Sequence, residues 1–232
     1  FVDFNNLNQL ESKLKENPNI VCFMVEPIQG EAGIKIPKNN YLKKAKKLCK
    51  KYNVLLICDE VQTGIGRTGK MLASEEVKPD LVVLGKALSG GMMPVSCVLG
   101  NNEVMDLMKP GTHGSTYGGN PLGTALVPHA VDIINEENLL INSIKQGVFF
   151  RNELNEYVKK GILKDVRGVG LLNAIEFHNF KDANRVIGKF MQNGLLTKVT
   201  KGGTIRMCPP LTIDNRQMEE SIEIIKNSIN EL

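Results

Sequence analysis

Two apolar segments of this chain each end at a residue that can do chemistry. Residues 54–58 read VLLIC and lead into Asp59, and residues 81–85 read LVVLG and lead into Lys86. Short apolar runs of this kind are typical of strands that are buried on both faces of a parallel sheet. Because open α/β sheets bind ligands at the carboxyl ends of their strands, we expect the carboxylate and the amine to lie at one ligand-binding edge.

An amine and a carboxylate at one sheet edge suit the chemistry of pyridoxal 5'-phosphate. A lysine amine can form a Schiff base with an aldehyde, and a carboxylate can keep a pyridinium nitrogen protonated. The structural alternatives are a surface lysine and a carboxylate that caps a helix. The second alternative fits Glu60 better than Asp59, and the first is a poor fit to a lysine that ends a buried strand.

Strands and helices alternate in the first half of the chain. The pattern predicts strands over 20–26, 54–59, 81–85 and 95–99, a helix over 40–52 capped by Asn39 or Asn40, and a short helix around 73–77 that ends before Pro79. This alternation predicts an α/β fold with a mostly parallel sheet.

The second half of the chain has longer helical patterns and shorter strands. It predicts helices over 121–135, 139–159, 182–192 and 215–232, and strands over 165–167, 171–177, 195–199 and 204–207. This mixture is typical of a smaller α+β domain. We therefore assign residues 1–136 to a large domain and residues 137–232 to a small carboxyl-terminal domain.

The composition is that of an ordinary soluble globular protein, with 42% apolar and 23% charged residues. The net charge is +4, and the densest group of lysines, in residues 43–51, follows a helical pattern. No aromatic side chains alternate with these lysines, so we interpret them as a solvated helix face and not as a nucleic-acid site. No apolar stretch is long enough to span a membrane.

The five cysteines are odd in number and widely spaced, a pattern that predicts neither a disulfide framework nor a zinc site. They fit a reducing compartment, and we expect the cytoplasm, with the mitochondrion as the alternative. The chain begins at Phe1 without a methionine, and its first residues resemble neither a signal peptide nor a transit peptide. We expect it to be the remainder of a longer protein.

Residues 64–69, GIGRTG, match two nucleotide-binding patterns superficially. The dinucleotide pattern needs a strand that leads directly into the loop and an acidic residue about twenty positions further on, and the sequence has neither. The P-loop pattern needs a hydroxyl where Met71 stands. A glycine-rich loop that lets Arg67 or the backbone approach a ligand explains the segment better.

Four motifs occur in a fixed order along the chain: VEPIQGEAG at 25–33, DEVQTGIGRTG at 59–69, PDLVVLGKALSGG at 79–91 and HGSTYGGNPL at 113–122. Together they resemble the class III, fold-type I, pyridoxal-phosphate-dependent aminotransferases, and within that class the members that act on ornithine. The resemblance covers essentially the whole chain. Members carry a substantial portion ahead of this region, so the resemblance implies the carboxyl-terminal part of such an enzyme, with the amino-terminal part missing.

The resemblance also implies roles for individual residues around the cofactor. Lys86 is similar to the Schiff-base lysine, whose freed amine moves a proton between the substrate carbon and the cofactor C4′. Asp59 would bind the pyridine nitrogen, Val61 would pack on the ring face and Gln62 would hydrogen-bond the phenolic oxygen. Ser115 and Thr116 are similar to residues that contact the cofactor phosphate across a dimer interface.

Two further residues are similar to the substrate-binding pair of the family. Arg206 would hold a substrate carboxylate, for which a guanidinium is well shaped. Glu31 would pair with Arg206 while an ω-amine reacts and would release it for the α-carboxylate of 2-oxoglutarate. The alternative for both residues is a structural salt bridge.

The expected function is transfer of the δ-amino group of ornithine to 2-oxoglutarate, giving glutamate semialdehyde and glutamate. The expected assembly is a homodimer with shared active sites and no nucleic-acid, membrane or metal partner. Other class III enzymes, acting on acetylornithine or 4-aminobutyrate, are the enzymatic alternative. A non-catalytic binding or dimerisation module is the alternative of a different class, and a P-loop nucleotidase ranks below both.

Overall fold

The computed structural model describes residues 1–232, which form two compact units. The first unit comprises Phe1–Ile28, Ile36–Ile65 and Lys70–Asn135, and the second comprises Gln29–Lys35, Gly66–Gly69 and Glu136–Leu232. Two short segments from the first half of the chain thus belong to the second unit. The predicted division placed both segments in the large domain, residues 1–136. No helix in the chain is both long enough and apolar enough to cross a membrane.

The first unit is built on a four-stranded sheet with the strand order β1-β2-β3-β4. Its elements are α1 (Leu7–Glu16), β1 (Cys22–Val25), α2 (Tyr41–Lys51), β2 (Leu55–Asp59), β3 (Leu81–Leu84), a 3₁₀ helix (Lys86–Ser89), β4 (Cys97–Gly100), α3 (Asn102–Met105) and α4 (Pro121–Glu136). Strands β1, β2 and β3 are parallel, whereas β4 is antiparallel to β3. The sheet is therefore mixed. Parallel neighbours need a crossover connection, usually a helix, and no long helix lies between β3 and β4.

Helices α1 and α2 cover the core of the first unit. Their buried side chains, among them Leu10, Leu14, Tyr41, Ala45 and Cys49, pack with Leu56 and Cys58 of β2. Burial raises the pKa of the Cys49 thiol to about 11 and that of Cys58 to about 12, so both are core thiols. Most lysines of α2 are exposed, as expected for a solvated helix face.

Three local features of the first unit differ from what the sequence predicted. Residues 73–77 form turns and not a helix, because the backbone N–H groups of Ala73 and Ser74 donate to the Glu60 carboxylate. Asn40 precedes α2 in a left-handed conformation, and its side chain makes no capping hydrogen bond. Helix α1 was not predicted, although the Asn6 side chain caps it by accepting from the Gln9 N–H.

The second unit is built on an antiparallel sheet with the strand order β5-β6-β8-β7. Its elements are α5 (Leu139–Lys159), β5 (Asp165–Val169), β6 (Leu172–Glu176), α6 (Phe180–Gln192), β7 (Lys198–Val199), a 3₁₀ helix (Lys201–Gly203), β8 (Thr204–Met207) and α7 (Asn215–Asn230). The core contains Phe150, Leu154, Ile175, Phe190, Ile205, Met218 and Ile225, all buried. This α+β arrangement agrees with the prediction for the second half of the chain.

Strand alternation sends polar side chains to the face of this sheet opposite the core. In β8, Ile205 and Met207 belong to the core, so Arg206 between them points to the other face. The strand register places Arg167, Ala174, Arg206 and Lys198 in one cross-strand row. Three cations from three strands therefore share one face of the sheet.

Candidate active site

Lys86 lies immediately beyond the carboxyl end of β3, in an unusual backbone conformation. Gly85 is extended, and Lys86 then adopts a φ of +44° and begins the 3₁₀ helix. A left-handed conformation is strained for a residue with a side chain. Strain of this kind is concentrated at functional sites, where surrounding structure maintains it. The Lys86 side chain is exposed at this strand end.

Asp59 is the last residue of β2, the strand next to β3. It is in parallel register with Val83, three residues before Lys86. Its carboxylate accepts a hydrogen bond of 3.0 Å from the Val61 N–H. The Val61 side chain lies against Gly85, since a Cβ atom at Gly85 would be 3.5 Å from Val61 Cγ1. Asp59, Val61 and the Lys86 backbone thus meet at one edge of the sheet.

Glu60, which we interpreted as a structural carboxylate, fixes the loop that follows Asp59. It is 1% exposed, and it accepts hydrogen bonds from the Ser74 N–H at 2.6 Å, the Ser74 hydroxyl at 2.7 Å and the Ala73 N–H at 3.1 Å. The Thr63 hydroxyl also donates to it. The backbone at Val61 is therefore held in place by the buried Glu60 carboxylate, both oxygens of which accept hydrogen bonds.

The other three residues predicted around the cofactor lie outside this strand-end group. Gln62 is half-buried in the turn after Val61. Ser115 and Thr116 are exposed in the loop that leads into α4, and the Ser115 hydroxyl accepts a 2.9 Å hydrogen bond from the Gly118 N–H. Both hydroxyl-bearing residues therefore face solvent.

Glu31 and Arg206 form an ion pair within the second unit. Arg206 Nη1 lies 2.5 Å from Glu31 Oε1, and Lys198 Nζ lies 2.9 Å from Glu31 Oε2. Hydrogen bonds from Lys198 and Arg206 lower the pKa of Glu31 to about 2. Lys198 was not predicted as a site residue, because its place opposite Arg206 depends on the pairing of β7 with β8.

Arg167 fastens the segment that carries Glu31. Its Nε atom donates to the carbonyl oxygens of Gly33 and Ile34, both at 3.1 Å, and its Nη2 atom donates to Gly33 at 2.6 Å. The segment also closes on itself, because Gln29 and Lys35 exchange two backbone hydrogen bonds. Glu31 is thus presented on a tethered hairpin.

Arg67, which together with the loop backbone was a candidate to approach a ligand, contacts backbone carbonyl groups of the protein. Its guanidinium is largely buried and donates to the carbonyl oxygens of Leu171 and Pro209. Burial lowers its pKa, but these carbonyl contacts keep the cation satisfied. Arg67 therefore ties residues Gly66–Gly69 to the rest of the second unit.

A cavity of about 490 Å³ lies in the second unit, and Arg206 is among the residues that line it. Its lining also includes Lys198 and apolar residues such as Phe150, Leu195 and Met218. No group of three His, Cys, Asp or Glu side chains in the chain is arranged to hold a metal ion.

Comparison with known proteins identifies the family. The family described as Aminotransferase class-III matches residues 3–229 of the chain. The chain belongs to the class III aminotransferases. This finding confirms the resemblance drawn from the four sequence motifs.

Individual class III aminotransferases resemble the chain closely. The mitochondrial ornithine aminotransferase of Drosophila melanogaster is 54% identical over 230 residues, which are 98% of this chain and 53% of that protein. The ornithine aminotransferase of Plasmodium falciparum is 47% identical over 98% of this chain and 56% of that protein. The chain thus spans about half the length of the curated relatives it matches.

Solved structures of class III enzymes share the fold. An ornithine aminotransferase from Toxoplasma gondii, described with partial occupancy of pyridoxal phosphate at its active site, superposes with a TM-score of 0.94 at 44% identity, covering 99% of this chain and 55% of that one. An acetylornithine aminotransferase from Elizabethkingia anophelis gives a TM-score of 0.94 at 47% identity, covering 100% and 62%.

The strand-end residues of the chain are of the chemical types that could hold the family's cofactor, pyridoxal phosphate. Lys86 offers a primary amine for an aldehyde. Asp59, on the adjacent strand, offers a carboxylate for a ring nitrogen. Gly85 has no side chain, and Val61 packs there as an apolar wall beside both groups.

Proposed function

We propose that this chain is the carboxyl-terminal part of an ornithine aminotransferase of fold-type I. The enzyme transfers the δ-amino group of ornithine to 2-oxoglutarate and releases glutamate semialdehyde and glutamate. The observation that carries the proposal is the placement of Lys86, held at a φ of +44° beyond β3 while Asp59 ends the neighbouring parallel strand. The identity to named ornithine aminotransferases supports the choice of substrate.

Pyridoxal phosphate, when bound, supplies an aldehyde for the amino group and a ring that takes up the electrons of the broken C–H bond. Asp59 would keep the ring nitrogen protonated by its negative charge, and Val61 would hold the ring by packing on one face. Gln62 would donate to the phenolic oxygen. Lys86 would act as the general base and acid, taking the proton from the δ-carbon of ornithine and returning it at the cofactor C4′.

The Glu31–Arg206 pair lets one site accept two differently charged substrates. While ornithine reacts through its δ-amine, Glu31 neutralises Arg206. When 2-oxoglutarate binds, its α-carboxylate replaces Glu31 on Arg206. The short contact between Glu31 and Arg206 supports this role, as does the position of Arg206 among the residues that line a cavity.

Ser115 and Thr116 would bind the cofactor phosphate of a partner subunit in a homodimer. Their exposure in the loop before α4 supports this assignment. Large exposed apolar side chains also flank the loop: Leu107, Met108, Tyr117 and Leu122. A two-fold interface would bury these side chains and complete both active sites.

Acetylornithine is the alternative substrate, because the acetylornithine aminotransferase from Elizabethkingia anophelis is as similar in structure as the ornithine enzymes. 4-Aminobutyrate is a third candidate substrate. We assign the enzyme to the cytoplasm, with the mitochondrion as the alternative because the Drosophila relative is named as mitochondrial.

A chimera tests the proposed function. The chain replaces the matching residues of the Drosophila melanogaster relative, which supplies the part of the enzyme that this chain does not cover. We expect pyridoxal phosphate to be bound and ornithine to be converted, with 2-oxoglutarate, to glutamate semialdehyde and glutamate. Faster turnover of acetylornithine or 4-aminobutyrate would replace the substrate assignment. A folded chimera that binds the cofactor without transferring any amino group would support the non-catalytic alternative.

A further inference from the structure

Lys198 is a second cation at the Glu31 carboxylate, and it lies directly opposite Arg206. The two residues are register partners across the β7–β8 pair, so their side chains project from the same face. Each cation contacts its own oxygen, Lys198 at Oε2 and Arg206 at Oε1. Glu31 can therefore leave one cation without leaving the other.

The arrangement places two positive charges around one negative charge. If Arg206 were the only partner, an incoming carboxylate would displace Glu31 as an isolated anion, next to a second anion. Two neighbouring carboxylates repel each other, and this repulsion would disfavour the exchange. With Lys198 present, the displaced carboxylate keeps an ion pair, and the local charge stays balanced when the second carboxylate arrives.

Both residues are also among those that line one cavity of the second unit. The exposed fractions of their side chains differ, being 55% for Lys198 and 20% for Arg206. The more buried guanidinium suits the substrate carboxylate, because a bidentate contact gains strength away from water. The more exposed and flexible lysine suits a carboxylate that must move.

We propose that Lys198 determines specificity by holding Glu31 aside whenever a dicarboxylic substrate occupies Arg206. This inference rests on the proposed function, since it deepens the exchange at Arg206. Lys198 then favours the 2-oxo acid half of the reaction and has little effect on the ω-amine half. It touches no reacting atom, so it acts through Glu31 as a positioning residue.

Glutarate is the probe, because it is a five-carbon dicarboxylate without an oxo group and cannot react. Its binding to the 232-residue chain is measured by NMR titration, following the Arg206 guanidinium and the Glu31 carboxyl signals. The variants are Lys198→Met, which keeps the aliphatic bulk, Lys198→Arg, which keeps the charge, and Lys201→Met, a matched control at an exposed lysine nearby. Arg206→Met serves as the reference for loss of the carboxylate site.

We expect Lys198→Met to weaken glutarate binding about two- to fivefold, the effect of losing one exposed ion pair. Lys198→Arg should restore most of the affinity, and Lys201→Met should bind as the unmodified chain does. In the chimera, Lys198→Met should lower kcat/KM for 2-oxoglutarate by a similar factor and leave the ornithine half-reaction unchanged.

Two results would overturn the role of Lys198 and leave the proposed function standing. One is unchanged glutarate affinity in Lys198→Met while Arg206→Met loses binding. The other is an equal loss in Lys198→Met and Lys201→Met, which would show a general charge effect. Two other results would overturn both the inference and the proposed exchange at Arg206. In one, the Arg206→Met variant still binds glutarate; in the other, the unmodified chain binds none.

Discussion

Arg167 and Arg206 lie in one cross-strand row of the second unit, with only the small side chain of Ala174 between them. The two arginines contact the same hairpin, residues 29–35, at different points. Arg167 binds the carbonyl oxygens of Gly33 and Ile34, and Arg206 binds the carboxylate of Glu31. The position of Glu31 is therefore set by the sheet and not by the hairpin alone.

We predict that Arg167→Met loosens the hairpin and destabilises the second unit. Hydrogen bonds from a charged donor contribute about 1.5–3 kcal/mol, and Arg167 also forms ion pairs with Asp165 and Glu176. Chemical denaturation should show a loss of about 2–4 kcal/mol, since removal of the cation also leaves the Glu176 carboxylate with fewer partners. Hydrogen exchange at the backbone N–H of Lys35 should accelerate.

Lys164→Met is the matched control for Arg167→Met, because Lys164 binds the same Glu176 but is 57% exposed. It should cost no more than about 1 kcal/mol. Equal losses in the two variants would mean that Glu176, and not the hairpin contact, accounts for the effect of Arg167.

We predict that Lys86 is the residue that borohydride reduction labels in the cofactor-loaded chimera. A pyridoxyl mass should appear on the peptide that contains Lys86, and a label on another lysine would contradict the assignment. Lys86→Ala should keep the fold, because the side chain is exposed. It should slow proton transfer about a hundred- to ten-thousand-fold, the range for loss of a general base.

We predict that Glu60→Gln destabilises the first unit by about 1–3 kcal/mol, the cost of a buried hydrogen bond left unmade. The two carboxylate oxygens accept from Ser74, Ala73 and Thr63, and an amide nitrogen cannot accept from any of these donors. Denaturant unfolding measures the loss. Glu75→Gln, at an exposed neighbour, should change the free energy of unfolding by no more than a few tenths of a kcal/mol.

The strand ends that carry Asp59 and Lys86 were predictable from sequence because buried parallel strands are nearly continuous in apolar residues. Other features depend on contacts between distant residues. The turns at 73–77 arise from Glu60, more than ten positions earlier. Lys198 becomes a site residue only through the β7–β8 register, and a register is set by the pairing of whole strands.

We predict that Thr116→Ala weakens cofactor binding in the dimeric chimera and leaves kcat unchanged at saturating cofactor. A hydroxyl that contacts the phosphate binds the ground state and the transition state equally. The loss should be about ten- to hundredfold, as expected for a hydrogen bond to a charged group. Thr112→Ala is the control, since the Thr112 hydroxyl bonds within its own loop. Full activity in a monomer, shown by light scattering, would contradict a contact made across subunits.

We predict that Glu31 stays ionised and paired well below the usual range for a glutamate. Its pKa is lowered from 4.5 to about 2, so its contribution to stability is complete above pH 4.5 and is lost as the pH falls through about 2. The side chain is 58% exposed, so this contribution is small. An NMR titration of the Glu31 carboxyl signal should therefore report the pairing better than unfolding experiments can.

We predict, finally, that Glu31→Ala shifts substrate choice in the chimera. Arg206 would then be available throughout, and substrates would increasingly bind by their α-carboxylates. The rate of reaction with glutamate should rise relative to that with ornithine by about 5- to 150-fold, the range for a coupling of about 1–3 kcal/mol. Single-turnover rates with the two amino acids measure the ratio. An unchanged ratio would mean that the Glu31–Arg206 ion pair is structural, and that another group distinguishes the two substrates.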